Sequence, residues 1–436
     1  MFVDRRRRFM SQMQGGVAVL FAAPERVRSN DTNYRFRQDT YFHYLTGFPE
    51  TGAAAVLIPG HPEHEFVLFV RPRNRERETW DGRRYGPEGA LEHFGADAAY
   101  PIEHLDDFLS RHLENADRLY YGLGRYPERD AQVLRVLDAV RAKSRLGVKA
   151  PGTIADPAEI LNEMRLLKTP EEIEIMRRAA VISAEAHRNA MRHLEPEMRE
   201  YEVEAVIEFT FRRRGASGPA YNSIVGGGVN ATILHYTENE DVCRDGDLLL
   251  VDAGAEYQGY AADITRTYPV SGRFTEEQNR VYGIVLDAQL RAIDAARPGA
   301  RFDDVHQAAL RRLVEGLVEL DVLAGGVDDL IAAEAYKPYY MHKTSHWIGM
   351  DVHDVGAYRN GVNWRKLQPG MVLTVEPGLY FAPDLEEVPA PYRGMGVRIE
   401  DDVLVTEGDP DVLTRQTPKA VAEIESIMAE PAAAAV

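Results

Sequence analysis

Acidic and histidine side chains in the C-terminal half of this 436-residue chain are grouped as a cation site needs them. Residues 248–270, LLLVDAGAEYQGYAADITRTYPV, hold two of the acids. Leu248 to Val251 form an apolar run ending in Asp252. A Gly-containing tip follows, then a Thr/Tyr/Ile-rich run that opens with Asp263. Two β-prone runs around a short turn predict a β-hairpin. A turn centred between Tyr257 and Gln258 makes Asp252 and Asp263 cross-strand partners, with Cβ atoms about 4.5–5.5 Å apart on one face. Carboxylates that close repel unless a proton or a cation lies between them. Taken alone, the pair fits equally well one acid capping the turn and one in solvent.

An internal echo removes that parity. Gly246 to Gly254 and Gly370 to Gly378 both read G-x-x-L-x-V-[D/E]-x-G, which aligns Asp252 with Glu376. A second acid on a β-prone run follows each: Asp263 in ADITRTY and Glu400 in GVRIEDDVLV. Matched acids at matched strand ends predict a duplicated αβ unit whose halves bring four carboxylates to one pseudo-twofold axis. Three histidines lie nearby in sequence, His342, His346 and His353, and a fourth, His235, sits in NATILHYTENE. His342 and His346 have the i, i+4 spacing of a helical zinc motif, but Lys343 stands where its general-base glutamate belongs, and Gly349 and Val352 disfavour a helix. Gly226-Gly227-Gly228 lacks the strand–GxGxxG–helix setting of a dinucleotide loop and reads as a turn or cleft lining. Four carboxylates with imidazole form a mostly hard ligand set, suited to Mn²⁺, or to Mg²⁺ and Co²⁺. Two such ions about 3.5–4 Å apart can hold a hydroxide between them near neutral pH. The residues alone therefore predict a dinuclear metallohydrolase.

Those groups need a scaffold, and the chain supplies two domains. From residue 1 to 165, apolar runs at 16–23, 53–60, 65–72 and 118–124 alternate with helical patterns at 103–116 and 128–144, as in an α/β domain. No cluster of His and carboxylates at ligand-like spacing appears there. The aromatic and Arg-rich segment 33–48 reads as core with surface ion pairs, and Arg5 to Arg8 as a solvated helix face. Thr169-Pro170-Glu171-Glu172 combines an N-cap, a first-turn proline and acids at the positive end of a helix dipole. It predicts a helix to about residue 193 that opens a second domain, 166–436, with further helices at 200–214, 275–296 and 302–320. A net charge of −18 disfavours nucleic acid, whose binding rests on Lys and Arg. One cysteine, no apolar signal segment and no membrane-length apolar run predict a soluble cytoplasmic protein with no membrane partner.

The ordered set of two aspartates, a histidine and two glutamates resembles the pita-bread metallopeptidases. Within them, ILHYTENE, DAGAEYQGYAADITRTYPVSGRFT, MHKTSHWIGMDVHDVG, LTVEPGLY and YRGMGVRIEDD are similar to bacterial Xaa-Pro aminopeptidases (aminopeptidase P). RQDTYFHYLTGF and TPEEIEIMRRAA extend the likeness through the first domain and the linker helix. The resemblance implies a creatinase/prolidase-like N-terminal α/β domain, active in assembly and cleft shaping, and a C-terminal pita-bread domain. It implies two Mn²⁺ per protomer, with Co²⁺ or Mg²⁺ as substitutes, on Asp252, Asp263, His346, Glu376 and Glu400. Asp263 and Glu400 would bridge the ions, Asp252 would chelate one, and His346 and Glu376 would complete the other. Glu376 would also shuttle a proton, while Tyr221, His235, His342, His353 and Arg398 would line the substrate cleft. The implied activity is removal of any N-terminal residue that precedes proline, by attack of a metal-bridging hydroxide, in a homodimer or homotetramer. A prolidase cleaving Xaa-Pro dipeptides is the alternative enzyme, and a non-catalytic pita-bread binding protein the alternative of another class. One departure stands out: Lys343-Thr344 occupies a place where family members often carry Gly and an apolar residue.

Overall fold

The computed structural model describes residues 1–431, which form two compact units: Met1–Met164, and the chain from Arg165 on. The first is built on a six-stranded mixed sheet. Its central strand Val17–Phe21 pairs antiparallel with Ala54–Leu57 and parallel with Arg118–Tyr120. Phe66–Val70 and Ala98–Pro101 extend one side, Thr153–Ala155 the other. VAVLF, AAVL and FVLFV are buried at every position, which explains their unbroken apolar runs: both sheet faces are covered. Helices Leu105–His112 and Pro127–Arg141 insert Phe108, Leu109, Val133, Leu137 and Val140 into that core.

The aromatic segment is core, as expected: Tyr41, Phe42, Tyr44, Leu45 and Phe48 are buried around helix Thr40–Thr46. The arginine run is not a solvated face throughout. Arg5 and Arg6 are buried on helix Phe2–Gln12. Arg5 donates to the Tyr44 carbonyl at 3.2 Å and Arg6 to the Leu45 carbonyl at 3.0 Å. Both carbonyls belong to the last turn of helix Thr40–Thr46, where backbone acceptors lack partners and cations are favoured. That long-range pairing overrides the expectation of a solvated face.

The second unit repeats one pattern twice: two packed helices, then a long hairpin interrupted in its middle. Helices Pro170–His193 and Glu200–Arg213 precede strands Leu248–Asp252, Ala255–Tyr257, Tyr260–Ala261 and Thr265–Pro269. Helices Glu276–Ala295 and Phe302–Glu319 precede Val372–Val375, Gly378–Tyr380, Gly396–Arg398 and Asp401–Leu404. The first helix starts where its sequence says it should. Thr169 accepts the Glu172 N–H, and the Glu172 carboxylate accepts the Thr169 N–H at 2.9 Å. Both helix pairs and both hairpins contribute to one apolar core.

The hairpin register differs from the expected one. Tyr257 pairs with Tyr260 and Asp252 with Thr265, so the turn centres one residue later, on Gln258-Gly259. Both turn residues have positive φ, 50° and 80°, the geometry of a tight two-residue hairpin loop. Gln258 gives no sequence sign of accepting that conformation. Asp263 therefore stands opposite Gly254, diagonal to Asp252, but a two-residue slip preserves the face. In the second hairpin, Val375 pairs with Asp401 and Gly378 with Arg398, a register that sets Glu376 opposite Glu400. The hairpins join through the Glu400 N–H to the Thr265 carbonyl (3.0 Å) and the Asp263 N–H to Asp402 Oδ2 (3.1 Å).

Candidate metal centre and substrate cleft

A cavity of about 440 Å³ opens where the hairpins meet, and Tyr221, His235, Asp252, Asp263, His342, His346, His353, Glu376, Arg398 and Glu400 all line it. Every site residue expected from the sequence is thus gathered in one place. On the floor, Asp263, His346 and Glu400 offer ligand atoms that all lie within 4.8 Å of one another. His346 Nε2 is 3.4 Å from Asp263 Oδ2 and 3.5 Å from Glu376 Oε1. Its Nδ1 lies 3.1 Å from the Trp347 carbonyl, so Nδ1–H donates there and Nε2 is the nitrogen turned to the acids. That is the arrangement in which a histidine serves a metal.

The floor is overloaded with negative charge. Burial, then Asp263, Glu376 and Asp252, raises the Glu400 carboxyl well above its usual range. Asp252 is also raised, by burial and by Asp263, against the pull of Arg398. Burial lifts Glu376 to about 7, with Asp263 and Asp252 adding to the rise and His346 and Arg398 opposing it. For His346 burial opposes protonation, but the hydrogen bond to Asp263 and the charges of Glu376 and Asp263 outweigh it and lift the imidazole to about 9. Without a cation, this cluster takes up protons to stay compact. Its oxygen-rich donors, buried setting and oriented histidine fit divalent metal ions well.

The walls arrange the remaining groups. Tyr221 places its hydroxyl 2.6 Å from both Asp252 Oδ1 and Asp263 Oδ1, bracing the two acids. Arg398 is buried, and its three nitrogens face inward: Nη2 to Asp252 at 2.6 Å, Nη1 to the Tyr380 hydroxyl at 3.1 Å, Nε to Thr265 Oγ1 at 3.1 Å. His342 Nε2 lies 2.9 Å from the same Tyr380 hydroxyl, and its Nδ1 2.9 Å from the Lys343 carbonyl. Burial and Arg398 push His342 down to about 3, so it is neutral and offers its ring to the cleft. His353 is exposed and meets His346 edge-on, ring centroids 4.5 Å apart. His235 is also exposed.

The 341–356 segment is irregular, so the i, i+4 histidines are not on a helix. It runs beside strand Val372–Val375: Thr374 N–H donates to the His346 carbonyl (2.9 Å) and Glu376 N–H to the Thr344 carbonyl (2.8 Å). One backbone ladder therefore fixes His346 against Glu376. The Thr344 hydroxyl is held by Tyr340 (2.6 Å) and His306 (2.8 Å). At the far end, buried Asp354 pairs with Arg165 and Lys168.

Residues 174–407 match the description "Metallopeptidase family M24", and residues 2–120 match "Aminopeptidase P, N-terminal domain". The chain is 48% identical to Escherichia coli Xaa-Pro aminopeptidase over 98% of its own length and 97% of that protein. This chain belongs to metallopeptidase family M24. The solved structure of Pseudomonas aeruginosa aminopeptidase PepP superposes with a TM-score of 0.97 at 49% identity, covering 98% of this chain and 97% of that one. An E. coli aminopeptidase P variant in complex with substrate gives 0.95 at 48% identity, with 98% and 97% coverage. The expected fold, an aminopeptidase P-type N-terminal domain followed by a pita-bread domain, is the one observed. No helix among the described residues is long and apolar enough to cross a membrane.

Sequence motifs alone do not reveal the buried support of this M24 peptidase. Arg266 donates to the Glu400 carbonyl (2.6 Å), the Thr265 carbonyl (2.9 Å) and Asp401 Oδ1 (2.8 Å). Gln289 and Lys419 each reach Asp401 Oδ2 at 2.7 Å. Burial works against ionisation of Asp401, but Arg266 and Lys419 outweigh it and hold the carboxyl well below its usual range. One signal does point to them: Asp401 adjoins Glu400 and Arg266 lies three residues beyond Asp263, offsets at which strand alternation aims them into the protein behind the floor. Thr265 and Tyr380 likewise carry no motif that marks them, although their hydroxyls touch Glu400 (2.6 Å) and Arg398 (3.1 Å).

Proposed function

We propose that this M24 peptidase is a dinuclear-metal Xaa-Pro aminopeptidase that removes the residue preceding proline from peptides. The observation that carries this reading is the unbroken set Asp252, Asp263, His346, Glu376 and Glu400 around one cavity floor, in a chain 48% identical to E. coli Xaa-Pro aminopeptidase. We assign the metal to these five residues, which would hold two Mn²⁺ ions, because four carboxylates and one imidazole favour Mn²⁺ over structural zinc. When bound, the ions would polarise the scissile carbonyl and make a water acidic enough to serve as nucleophile.

The chain's own residues supply the rest. Glu376, on the cavity floor beside His346, would take the proton of the attacking water and return it toward the departing nitrogen. Arg398 and Tyr221 hold Asp252 and the acids in place. An X–Pro bond is a tertiary amide with no N–H and a rigid ring. A cleft for it needs apolar surface and a proton donor rather than an N–H acceptor. His342 gives neutral ring surface, and the exposed His235 and His353 rings line the cleft beside it. A free amino terminus bound beside Asp252 would restrict cleavage to one residue at a time.

The test compares kcat/KM of Mn²⁺-reconstituted enzyme on Arg-Pro-Pro, Arg-Ala-Pro and Arg-Pro. We expect the first to exceed the second by on the order of a hundredfold and to exceed the dipeptide as well. Equal rates on the first two would remove the proline requirement, and preference for the dipeptide would make the protein a prolidase.

A further inference from the structure

Lys343 lines the same cavity, is exposed, and among the described residues has no ion-pair or hydrogen-bond partner for its ammonium group. Among the described residues that line the cavity, the other permanent cation is Arg398, which is engaged by Asp252, Tyr380 and Thr265. The free positive charge is also held in place. The Lys343 carbonyl takes the His342 ring at 2.9 Å, and the next residue, Thr344, is clamped by Tyr340 and His306. A charged side chain with four methylenes thus stands on a fixed backbone at the cavity lining. A lysine that serves only as a solvated surface charge requires no rigid base inside a cleft.

Resting on the proposed function, we infer that Lys343 is a specificity-determining residue that binds a carboxylate on the residue following proline, foremost the C-terminal carboxylate of a tripeptide. The maximum reach permits it. In Xaa-Pro-Yaa the terminal carboxylate lies two residues beyond the scissile bond, at most about 7 Å along an extended chain. Lys343 is three residues from His346 on the floor, so their α-carbons are at most about 11 Å apart, and the lysine stem closes the difference. With Arg398 engaged by Asp252, Tyr380 and Thr265, the Lys343 ammonium is the unpaired cation of the wall and the peptide terminus the complementary group. A lysine point charge is suited to a flexible terminus, since it needs no fixed bidentate geometry.

The experiment measures KM and kcat of Mn²⁺-loaded full-length enzyme on Ala-Pro-Ala, Ala-Pro-Ala amide and Ala-Pro-Asp amide, for wild type, Lys343→Met and Lys343→Arg. In wild type, amidation should raise KM about three- to fivefold with little change in kcat, and Lys343→Met should bring the amide-to-acid ratio of KM close to one. Lys343→Arg should keep the ratio. Recovery of the low KM by Ala-Pro-Asp amide means a side-chain carboxylate is accepted as well; no recovery restricts the site to the main-chain terminus, and either supports the assignment. An amide-to-acid ratio that is unity in wild type, or identical in wild type and Lys343→Met, overturns it. Ala-Ala-Ala and its amide run alongside: equal turnover of proline and alanine peptides would sink the proline reading while the Lys343 ratio is still read.

Discussion

Replacing Glu376 by Gln should stabilise the metal-free protein and destabilise the metal-loaded one. Glu376 sits with its Oε1 3.5 Å from His346 Nε2 and 3.3 Å from Thr374 Oγ1. Burial, with Asp263 and Asp252, raises its carboxyl from 4.5 to about 7. A carboxyl whose folded pKa exceeds its unfolded value binds protons on folding. Its contribution to stability is fully present below the unfolded value and is lost as pH rises through the folded one. At 1.36 kcal/mol per unit, the loss is about 3 kcal/mol once the pH is above about 7. A neutral Gln avoids that loss, which corresponds to a rise in unfolding temperature on the order of 5 °C. Raw pH profiles will not show it. Burial pushes His187 and His306 down to about 4, and such groups add stability with the opposite slope as pH rises. The quantity to measure is the variant-minus-wild-type difference, by calorimetry in chelator, from about pH 5 to about pH 8. The difference should grow in favour of the variant across that range and change sign on adding Mn²⁺, when Gln becomes a lost ligand. A variant no more stable than wild type near the upper pH, or still ahead with Mn²⁺ bound, would refute the assignment of Glu376 as both a strained acid and a metal ligand.

Asp263→Ala and Glu400→Ala should each abolish metal retention and activity together, whereas wild type should hold two equivalents by elemental analysis; one equivalent in fully active enzyme rules out the paired site. His353→Ala should retain both metals and lose turnover, because the exposed His353 ring meets His346 only edge-on; loss of metal in that variant would move His353 into the ligand set. Asp354→Asn removes a buried anion shared by Lys168 and by Arg165, which also pairs with Asp351, and should lower stability by about 3–5 kcal/mol. Denaturant unfolding gives the value, and a change below about 1 kcal/mol would show that those cations do not depend on Asp354.

What the sequence discloses, and what it withholds, follows from the range of the interactions. The Thr169–Glu172 cap, the buried strands of the first unit and the acid-ended strand Leu248–Asp252 are written in contiguous residues, and they form as expected. Arg5 and Arg6 bond carbonyls 39 residues away, and Arg266 reaches Asp401 across 135 residues, so neither partnership has a local signature. Arg398 lies among cleft motifs, which in sequence suggests a substrate contact. Only the folded pairing shows its three nitrogens turned to Asp252, Tyr380 and Thr265.

The hairpin registers also change how the duplication is understood. The echo aligns Gly254 with Gly378, and at both points the strands pass so close that an added Cβ would strike the opposite backbone: the Ala262 carbonyl at 1.7 Å in one, the Val397 carbonyl at 2.9 Å in the other. The residues that follow those carbonyls are Asp263 and Arg398, which makes Asp263 and Arg398, not Asp263 and Glu400, the related pair. By the same register Thr265, opposite Asp252, is the counterpart of Glu400, opposite Glu376. Full symmetry would therefore have demanded either six carboxylates on the floor or two arginines among the ligands. Six buried carboxylates would repel one another beyond what two divalent ions offset, and a second arginine would repel the ions themselves. The observed compromise places one arginine against Asp252 (2.6 Å) and one threonine hydroxyl against Glu400 (2.6 Å). It leaves four acids, one arginine and one imidazole around the cavity, so the broken symmetry limits the surplus of negative charge that a bound cation would have to offset.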